Sequence, residues 1–585
     1  MRWLRVGAAA LDQTPLDWDE NLANILGAIR DARNADVAVL CLPELCVTGY
    51  GCEDAFFSPD VLETAWEVLE EIVPATRGMI VSVGLPVLFR GALFNCAALI
   101  ADGALRGLVA KRWLAGDGLH YEPRWFKRWP EGKSAWLERG EQRWPIGDVH
   151  FDCGGLRIGF EICEDAWVAS RPGANLARRG VDLLLNPSAS HFAFGKGEVR
   201  ERFVLEGSRA FSLTYVYANL LGNEAGRTIY DGECLIASGG QMLARGQRFS
   251  YARRQLTVTT LDVDATRVAQ SRTASFRPDL GDAEDCVKVR FDVPWTDPVA
   301  RAPGDAPAAE AWDLGPHRKE EEFDRAVSLG LFGYLRKSRS RGFVVSLSGG
   351  ADSAACAALI ADMVAFGTHE LGAAGFAERL GLPVSADPRE TVGRLLTTVY
   401  QGTANSGAVT RNAASAVAKA VGATHHEVDV DPLVQGYRER VEGALGRGLG
   451  WGTDDLALQN IQARARAPLA WMLANVEGKL LITTSNRSEA AVGYATMDGD
   501  TAGGLAPLSG IDKAWLRRWL VWREASGPVG LGPIPALVAV NKQQPTAELR
   551  PPGDAQTDEG DLMPYPILDA IEGAAIRDKL GPIAV

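Results

Sequence analysis

The 585-residue sequence offers no cysteine-based metal site: its nine cysteines are scattered, without a CxxC pair or any zinc-type spacing. Excess basic charge is missing as well. Lys and Arg number 61 against 74 for Asp and Glu, giving a formal net charge of −13, and so weak a basic field excludes nonspecific collection of nucleic-acid phosphates. Uninterrupted apolar runs fall short of the roughly 18 to 20 residues that span a bilayer, and the start Met1-Arg2-Trp3-Leu4 carries no signal-peptide pattern. There is no internal repeat and no low-complexity tract of consequence. The expectation is a soluble chain in a reducing cytoplasm, with no nucleic-acid or membrane partner.

What is present is enough apolar sequence, 46% of residues, to fill cores in two or more domains. Residues 1–292 alternate polar helical stretches with short strand-like runs such as Val37 to Leu42, Met79 to Val83, Leu156 to Phe160 and Val181 to Leu185. Gly, Pro and Asn sit at the strand exits, the pattern of an α/β layered domain. Residues 293–319, rich in Pro, Ala and charge, read as a linker. A second α/β unit fills 320–585. Within it, 364–383 and 525–545 are rich in Gly, Ala and Pro and show no chemistry in sequence.

The most informative segment is Ser348-Gly349-Gly350-Ala351-Asp352-Ser353, between the strand-like Phe343 to Leu347 and the small-residue helix Ala354 to Ile360. Adjacent glycines let the backbone turn its N–H groups onto an anion, and the helix start adds unpaired donors and a positive dipole end. The loop is suited to ATP phosphates. It is not the common P-loop, because no Lys-Ser or Lys-Thr follows the glycines. Instead Asp352, flanked by two hydroxyls, suits a magnesium ion bridging phosphate oxygens. Small residues at a strand-to-helix turn also serve packing alone.

A thiol site is suggested in the first half. Gly159-Phe160-Glu161-Ile162-Cys163-Glu164-Asp165 puts a cysteine just past an apolar strand, where it can act as a nucleophile, although a free cysteine commonly just fills a core. Glu44 in Leu42-Pro43-Glu44-Leu45 and Lys111 in Val109-Ala110-Lys111-Arg112 also stand at strand ends. The three form a coherent set: a carboxylate to take the thiol proton, a thiolate to attack an amide, and a lysine, with the Glu164 N–H, to stabilise the oxyanion.

In order and local context, Glu44, Lys111 and Cys163 resemble the Glu-Lys-Cys triad of the nitrilase and amidase superfamily, and the phosphate loop resembles that of the enzymes that split ATP into AMP and pyrophosphate. The combination resembles the glutamine-dependent NAD synthetase family across nearly the whole chain. Gln459-Asn460-Ile461-Gln462-Ala463-Arg464 and Thr483-Thr484-Ser485-Asn486-Arg487-Ser488-Glu489 carry much of that likeness, with Ser485 and Arg487 where the family usually has Gly and Lys.

The resemblance implies a nitrilase-like αββα sandwich followed by a Rossmann-like parallel-sheet ATP pyrophosphatase domain. It implies glutamine contacts at Tyr121, Ser190 and Lys196, with Glu122 as a second acid. ATP contacts fall at Ser346, Leu347, Ser348, Gly349, Gly350, Ala351, Asp352, Ser353 and Thr484, and deamido-NAD contacts at Asn460 and Glu489. Asp352 and Glu489 become the magnesium ligands, while Lys513 and Thr546 fall where relatives touch phosphate and ATP. It further implies a homo-oligomer, a dimer or larger, and a tunnel carrying ammonia. Family members usually continue beyond the helix containing Asp569 and Glu572 into a basic tail that helps close the synthetase site, whereas this sequence ends at Val585. A stand-alone carbon–nitrogen hydrolase with a degenerate second domain is disfavoured by the presence of both Asp352 and Glu489, and two further alternatives compete. One is another glutamine-dependent amidotransferase with the same ATP loop; asparagine synthetase would need a cysteine where Arg2 stands, and GMP synthetase pairs its loop with a different glutaminase. The other is a noncatalytic nucleotide-binding scaffold.

Overall fold

The computed structural model describes residues 2–224, 226–280, 285–297, 310–551 and 556–584. The chain divides into two compact units, 1–310 and 311–585. Part of the expected linker, 298–309, lies outside the described residues, as does Val585.

In the first unit, two sheets stack face to face. One has the strand order Arg254–Asp262, Trp3–Leu11, Val39–Cys41, Ile80–Phe89, Ala92–Ala101, Ala104–Ala110, Gln142–Gly147, Ser134–Arg139. The other runs Gln241–Arg245, Cys234–Ser238, Thr214–Asn219, Leu183–Ser188, Leu156–Phe160, His150–Cys153, Cys286–Val289. Trp3–Leu11 and Val39–Cys41 pack on Leu183–Ser188 and Thr214–Asn219. Burial on both faces explains why Leu183–Ser188 and Thr214–Asn219 are buried at every position instead of alternating. Helices Trp18–Asn34 and Pro59–Ile72 cover the first sheet and Lys196–Ala210 the second, which completes the expected α–β–β–α layering. Trp18–Asn34 starts on an Asp17 cap that accepts from the Glu20 N–H at 3.2 Å, and it ends with Arg33 in its last turn.

The second unit holds a four-stranded parallel sheet in the order Thr424–Asp429, Leu396–Gly402, Phe343–Ser346, Leu480–Ile482. The first two connections step outward to one side of Phe343–Ser346, and the third returns to its other side. A crevice therefore opens at the carboxyl ends of Phe343–Ser346 and Leu480–Ile482, the position at which such sheets bind ligands. The apolar helix Ala351–Leu380, kinked at Gly372 (φ 71°), is by length and composition apolar enough to cross a membrane, contrary to the expectation from uninterrupted apolar runs. It is a core helix: its first three turns are almost entirely buried against Arg318–Ser338 and neighbouring elements.

Candidate active sites

Glu44, Lys111 and Cys163 each stand just beyond the carboxyl end of a strand in the first unit, and the stacked sheets bring them together. Lys111, wholly buried, donates from Nζ to Glu44 Oε1 at 2.5 Å and to Glu122 Oε1 at 2.7 Å. Asn95 Nδ2 donates to Glu44 Oε1 at 2.7 Å, and the Ala189 N–H donates to Glu44 Oε2 at 3.0 Å. Burial lifts the Glu44 carboxyl to about 7 against the opposing pull of Lys111, with the charge of Glu122 adding to the rise. For Lys111, burial works downward, but the charges of Glu122 and Glu44 outweigh it and hold the ammonium well above its ordinary value. Burial, then the charge of Glu44, drives the Cys163 thiol well up, so sulfur keeps its proton until a base removes it.

Cys163 has φ 45°, a left-handed conformation that a side-chain-bearing residue adopts only when its surroundings impose it. The constraint is Asp165. Its Oδ2 accepts from Ile162 N at 3.0 Å, while its Oδ1 accepts from Arg112 N at 3.2 Å and Trp113 N at 2.8 Å. One buried carboxylate thus clamps the cysteine turn to the chain that follows Lys111. Behind Glu44, Gly84 is obligatory: a Cβ there would lie 2.3 Å from Leu45 N.

The residues expected to contact glutamine separate. Ser190 is buried with its hydroxyl unpartnered, which leaves it available to a ligand. Lys196 opens helix Lys196–Ala210 with its Nζ 3.1 Å from His191 Nδ1 and 5.3 Å from the Trp167 ring centre. Tyr121 is 54% exposed, and it is the adjacent His120 that turns into the site, with Nδ1 3.1 Å from Tyr50 Oη. Glu122 sits deep in the site, accepting from Tyr50 Oη at 2.8 Å and from Ala115 N at 2.9 Å as well as from Lys111.

In the second unit, the phosphate loop follows strand Phe343–Ser346. Gly349 has φ 85°, and a Cβ on it would lie 2.1 Å from Thr410 O, so glycine is required twice over. Ser353 Oγ accepts from Ser348 N at 3.2 Å and the Ser348 hydroxyl accepts from Gly350 N at 3.2 Å, which shapes the loop from within. Ser346, Ser348, Gly349, Gly350, Ala351 and Thr484 line one cavity. Leu347 does not join them; its side chain is in the core and its N–H donates to Val399 O.

Asp352 points away from that cavity toward Glu489, and Lys513 lies between the two acids. Lys513 Nζ donates to Asp352 Oδ2 and, at 3.0 Å, to Glu489 Oε1. Asn486 braces both: its Nδ2 donates to Asp352 Oδ1 at 2.9 Å and its Oδ1 accepts from Glu489 N at 3.0 Å. Burial, then the charge of Asp352, raises Glu489 to about 7. Burial alone would lower Lys513, yet the two carboxylates raise it. Two carboxylates converging on one cation are a donor set that fits a divalent ion. Asn460, on helix Asp455–Glu477, accepts from Thr496 Oγ1 at 3.0 Å.

Residues 5–273 match the carbon-nitrogen hydrolase family, and residues 325–579 match the NAD synthase family. The chain is 33% identical to a glutamine-dependent NAD(+) synthetase of Oryza sativa subsp. indica, over 94% of this chain and 78% of that protein. It is 30% identical to the human glutamine-dependent NAD(+) synthetase, over 100% of this chain and 87% of that one. The chain belongs to the glutamine-dependent NAD(+) synthetase family. A solved glutamine-dependent NAD(+) synthetase from Cytophaga hutchinsonii superposes with a TM-score of 0.81 at 42% identity, covering 100% of this chain and 87% of that one.

Several residues of this NAD synthetase chain that shape the sites gave no functional signal in sequence. Asn95 reaches Glu44, Tyr50 reaches Glu122, and Asp165 holds the backbone beside Lys111 and Cys163. Segment 525–545, without chemistry in the sequence reading, contributes Val540, Asn541, Gln543, Gln544 and Pro545 to the wall of the phosphate-loop cavity, followed by Thr546. The helix Tyr565–Glu572 also serves the site. Asp569 accepts from Ser488 Oγ at 2.6 Å and from Ala514 N at 3.0 Å, tying together the neighbours of Glu489 and Lys513.

Proposed function

We propose that this chain is a glutamine-hydrolysing NAD synthetase, converting deamido-NAD, ATP and glutamine into NAD, AMP, pyrophosphate and glutamate. The observation that carries the reading is the coexistence in one chain of a buried Glu44–Lys111–Cys163 cluster and a phosphate loop facing Thr484. Residues 1–292 act as the glutaminase and 320–585 as the synthetase.

In the glutaminase, Glu44 takes the thiol proton as sulfur attacks the side-chain amide of glutamine. Lys111 has three ammonium N–H donors and spends two on Glu44 and Glu122, which leaves one for the oxyanion. The second oxyanion donor is the N–H of Glu164, in the first turn of the short helix Cys163–Ala166, where backbone donors lack helical partners. Glu44 returns its proton to the departing nitrogen, giving ammonia and a thioester. It then deprotonates a water that hydrolyses the thioester to glutamate. Ser190 and Lys196 hold the amino-acid end of the substrate.

In the synthetase, the nicotinate carboxylate of deamido-NAD attacks the α-phosphorus of ATP, expels pyrophosphate and becomes an acyl adenylate. Ammonia then displaces AMP. Ser346, Ser348, Gly349, Gly350, Ala351 and Thr484 bind ATP, while Asn460 and Glu489 bind deamido-NAD. Asp352 and Glu489 are the residues that would hold magnesium, which when bound offsets the charge gathering on the phosphates. Lys513, the ammonium between those two acids, would contact phosphate oxygens.

The chain works as a homo-oligomer. In support, Leu433, Tyr437, Val441 and Leu445 form an exposed stripe at four-residue spacing on helix Asp431–Leu445, an apolar face suited to a second copy. A Tyr437→Glu chain that sediments like the unaltered one would remove that stripe as the interface.

The assay for the whole reading supplies purified protein with glutamine, ATP, magnesium and deamido-NAD and follows NAD and AMP. Equimolar NAD and AMP are expected. No NAD from either glutamine or ammonium would reject the synthetase, and NAD from ammonium alone would reject the glutaminase.

A further inference from the structure

Between Lys196 and Glu122 runs an unbroken line of polar contacts that neither the triad nor the glutamine contacts account for. Lys196 Nζ is 3.1 Å from His191 Nδ1, His191 Nδ1 is 2.8 Å from His120 Nε2, His120 Nδ1 is 3.1 Å from Tyr50 Oη, and Tyr50 Oη is 2.8 Å from Glu122 Oε1. The two imidazoles are tilted at 49° with ring centres 4.9 Å apart, and Tyr50 is buried in the cluster that holds Phe56 and Tyr230. The far end of the line is the acid that holds Lys111.

The proton inventory of this line does not close. Burial, then the positive charge of Lys196, lowers His120 to about 4 and His191 to about 3, so both rings are neutral near pH 7 and each has one N–H and one bare nitrogen. Starting from an ionised Glu122, Tyr50 must donate to it, His120 must donate from Nδ1 to Tyr50, and His191 must donate from Nδ1 to His120. His191 Nδ1 then presents a hydrogen to the Lys196 ammonium, itself only a donor, which is left with the bare His191 Nε2 at a long 3.5 Å. Starting instead from Lys196, His191 Nδ1 accepts, its one lone pair shared between the Lys196 ammonium and the His120 Nε2–H. Tyr50 then turns its single proton to His120 Nδ1, and Glu122 loses its tyrosine donor. Only one end of the line can be satisfied at short range at a time.

We propose that Tyr50, His120 and His191 form a positioning relay through which the carboxylate of the amino-acid substrate, on taking the ammonium of Lys196, secures Glu122 and with it Lys111. The inference rests on the glutaminase reading. The α-carboxylate is the one anionic group of free glutamine, and the Lys196 ammonium at the head of the line is the cation that receives it. With Lys196 drawn to the carboxylate, His191 Nδ1 is free to donate. Each imidazole keeps one proton and moves it from Nε2 to Nδ1 by exchange with solvent, and the Tyr50 hydroxyl turns from His120 to Glu122. No net charge moves; the result is a fixed Glu122 and a lysine aligned for the oxyanion only when the substrate's acid end is seated.

The test reads tautomers directly. Cys163→Ala protein, which binds but does not turn over glutamine, is labelled with ¹⁵N-histidine, and the two rings are assigned from His120→Asn and His191→Asn variants. Saturation with glutamine should move both rings from the Nε2–H to the Nδ1–H pattern, whereas glutaminamide, which lacks the carboxylate, should leave them unmoved. Bound glutamine with unchanged tautomers, or the same change with glutaminamide, would overturn the relay and leave the glutaminase reading standing. Calorimetry showing no glutamine binding at all would overturn the glutaminase reading, and the relay with it.

Discussion

Lys513 Nζ lies 3.0 Å from Glu489 Oε1 while also donating to Asp352, so a single buried ammonium joins acids carried on two different helices, Arg487–Val492 and Ala351–Leu380. Removing that cation leaves two carboxylates facing each other in a buried site, and breaking such an arrangement costs about 3–5 kcal/mol. Lys513→Met should therefore lower the melting temperature. Added magnesium should recover more of the loss in this variant than it adds to the unaltered chain, because a divalent ion then replaces the ammonium. Thermal denaturation with and without magnesium checks this; equal magnesium responses would speak against a shared cation position.

Glutamine hydrolysis should carry the titration of Glu44. As a base it works only when ionised, and its carboxyl is lifted to about 7, so kcat/KM for glutamate release should fall as pH drops through that value and level off above it. Glu44→Gln should remove this limb and cut hydrolysis by roughly 10²–10⁴-fold. A pH profile flat down to the ordinary glutamate range would exclude Glu44 as the base.

Two glycine substitutions should separate the reactions. In Gly349→Ala the new methyl group falls 2.1 Å from Thr410 O, so the phosphate loop has to deform; NAD formation should be lost with glutamine and with ammonium alike, while glutamate release persists. In Gly84→Ala the methyl group falls 2.3 Å from Leu45 N beside the base, so glutamate release should be lost and ammonium-supported synthesis kept. Loss of both activities in both variants would indicate general unfolding, which circular dichroism would register.

Asp165→Asn tests the clamp on the cysteine turn. The amide preserves shape but keeps one acceptor oxygen for three backbone donors, those of Ile162, Arg112 and Trp113, so at least one buried N–H loses its partner at a cost of about 1–3 kcal/mol. Slower alkylation of Cys163 together with weaker glutamine hydrolysis is expected; unchanged rates of both would show that the left-handed Cys163 is imposed by something else.

Much of both sites was legible in the sequence because the chemistry sits at strand ends. Glu44, Lys111 and Cys163 each follow an apolar run, and the phosphate loop is bounded by a strand and a small-residue helix; local pattern is sufficient to mark such positions. What pattern could not supply is which distant residues the sheets bring alongside. Asn95 reaches Glu44 across 51 positions and Tyr50 reaches Glu122 across 72, distances fixed by sheet register and loop course. The direction of a single residue in a loop is equally invisible, which is why Tyr121 was the expected contact and His120 is the one turned inward. Leu347 was grouped with its loop neighbours, yet its N–H closes the sheet onto Val399. Lys513 carried a phosphate-contact expectation, and its carboxylate partners emerge only from the packing of its helix against Asp352 and Glu489.

The most direct test of the account follows nitrogen from one site to the other. The protein is incubated with glutamine labelled with ¹⁵N in its side-chain amide, together with ATP, magnesium and deamido-NAD, and the nicotinamide nitrogen of the product is read by mass spectrometry. The account predicts NAD carrying ¹⁵N in its amide, formed with one AMP per NAD and absent in Cys163→Ala, in which added unlabelled ammonium restores NAD without the label. Labelled glutamine consumed without labelled NAD, or labelled NAD still formed by Cys163→Ala, would contradict it.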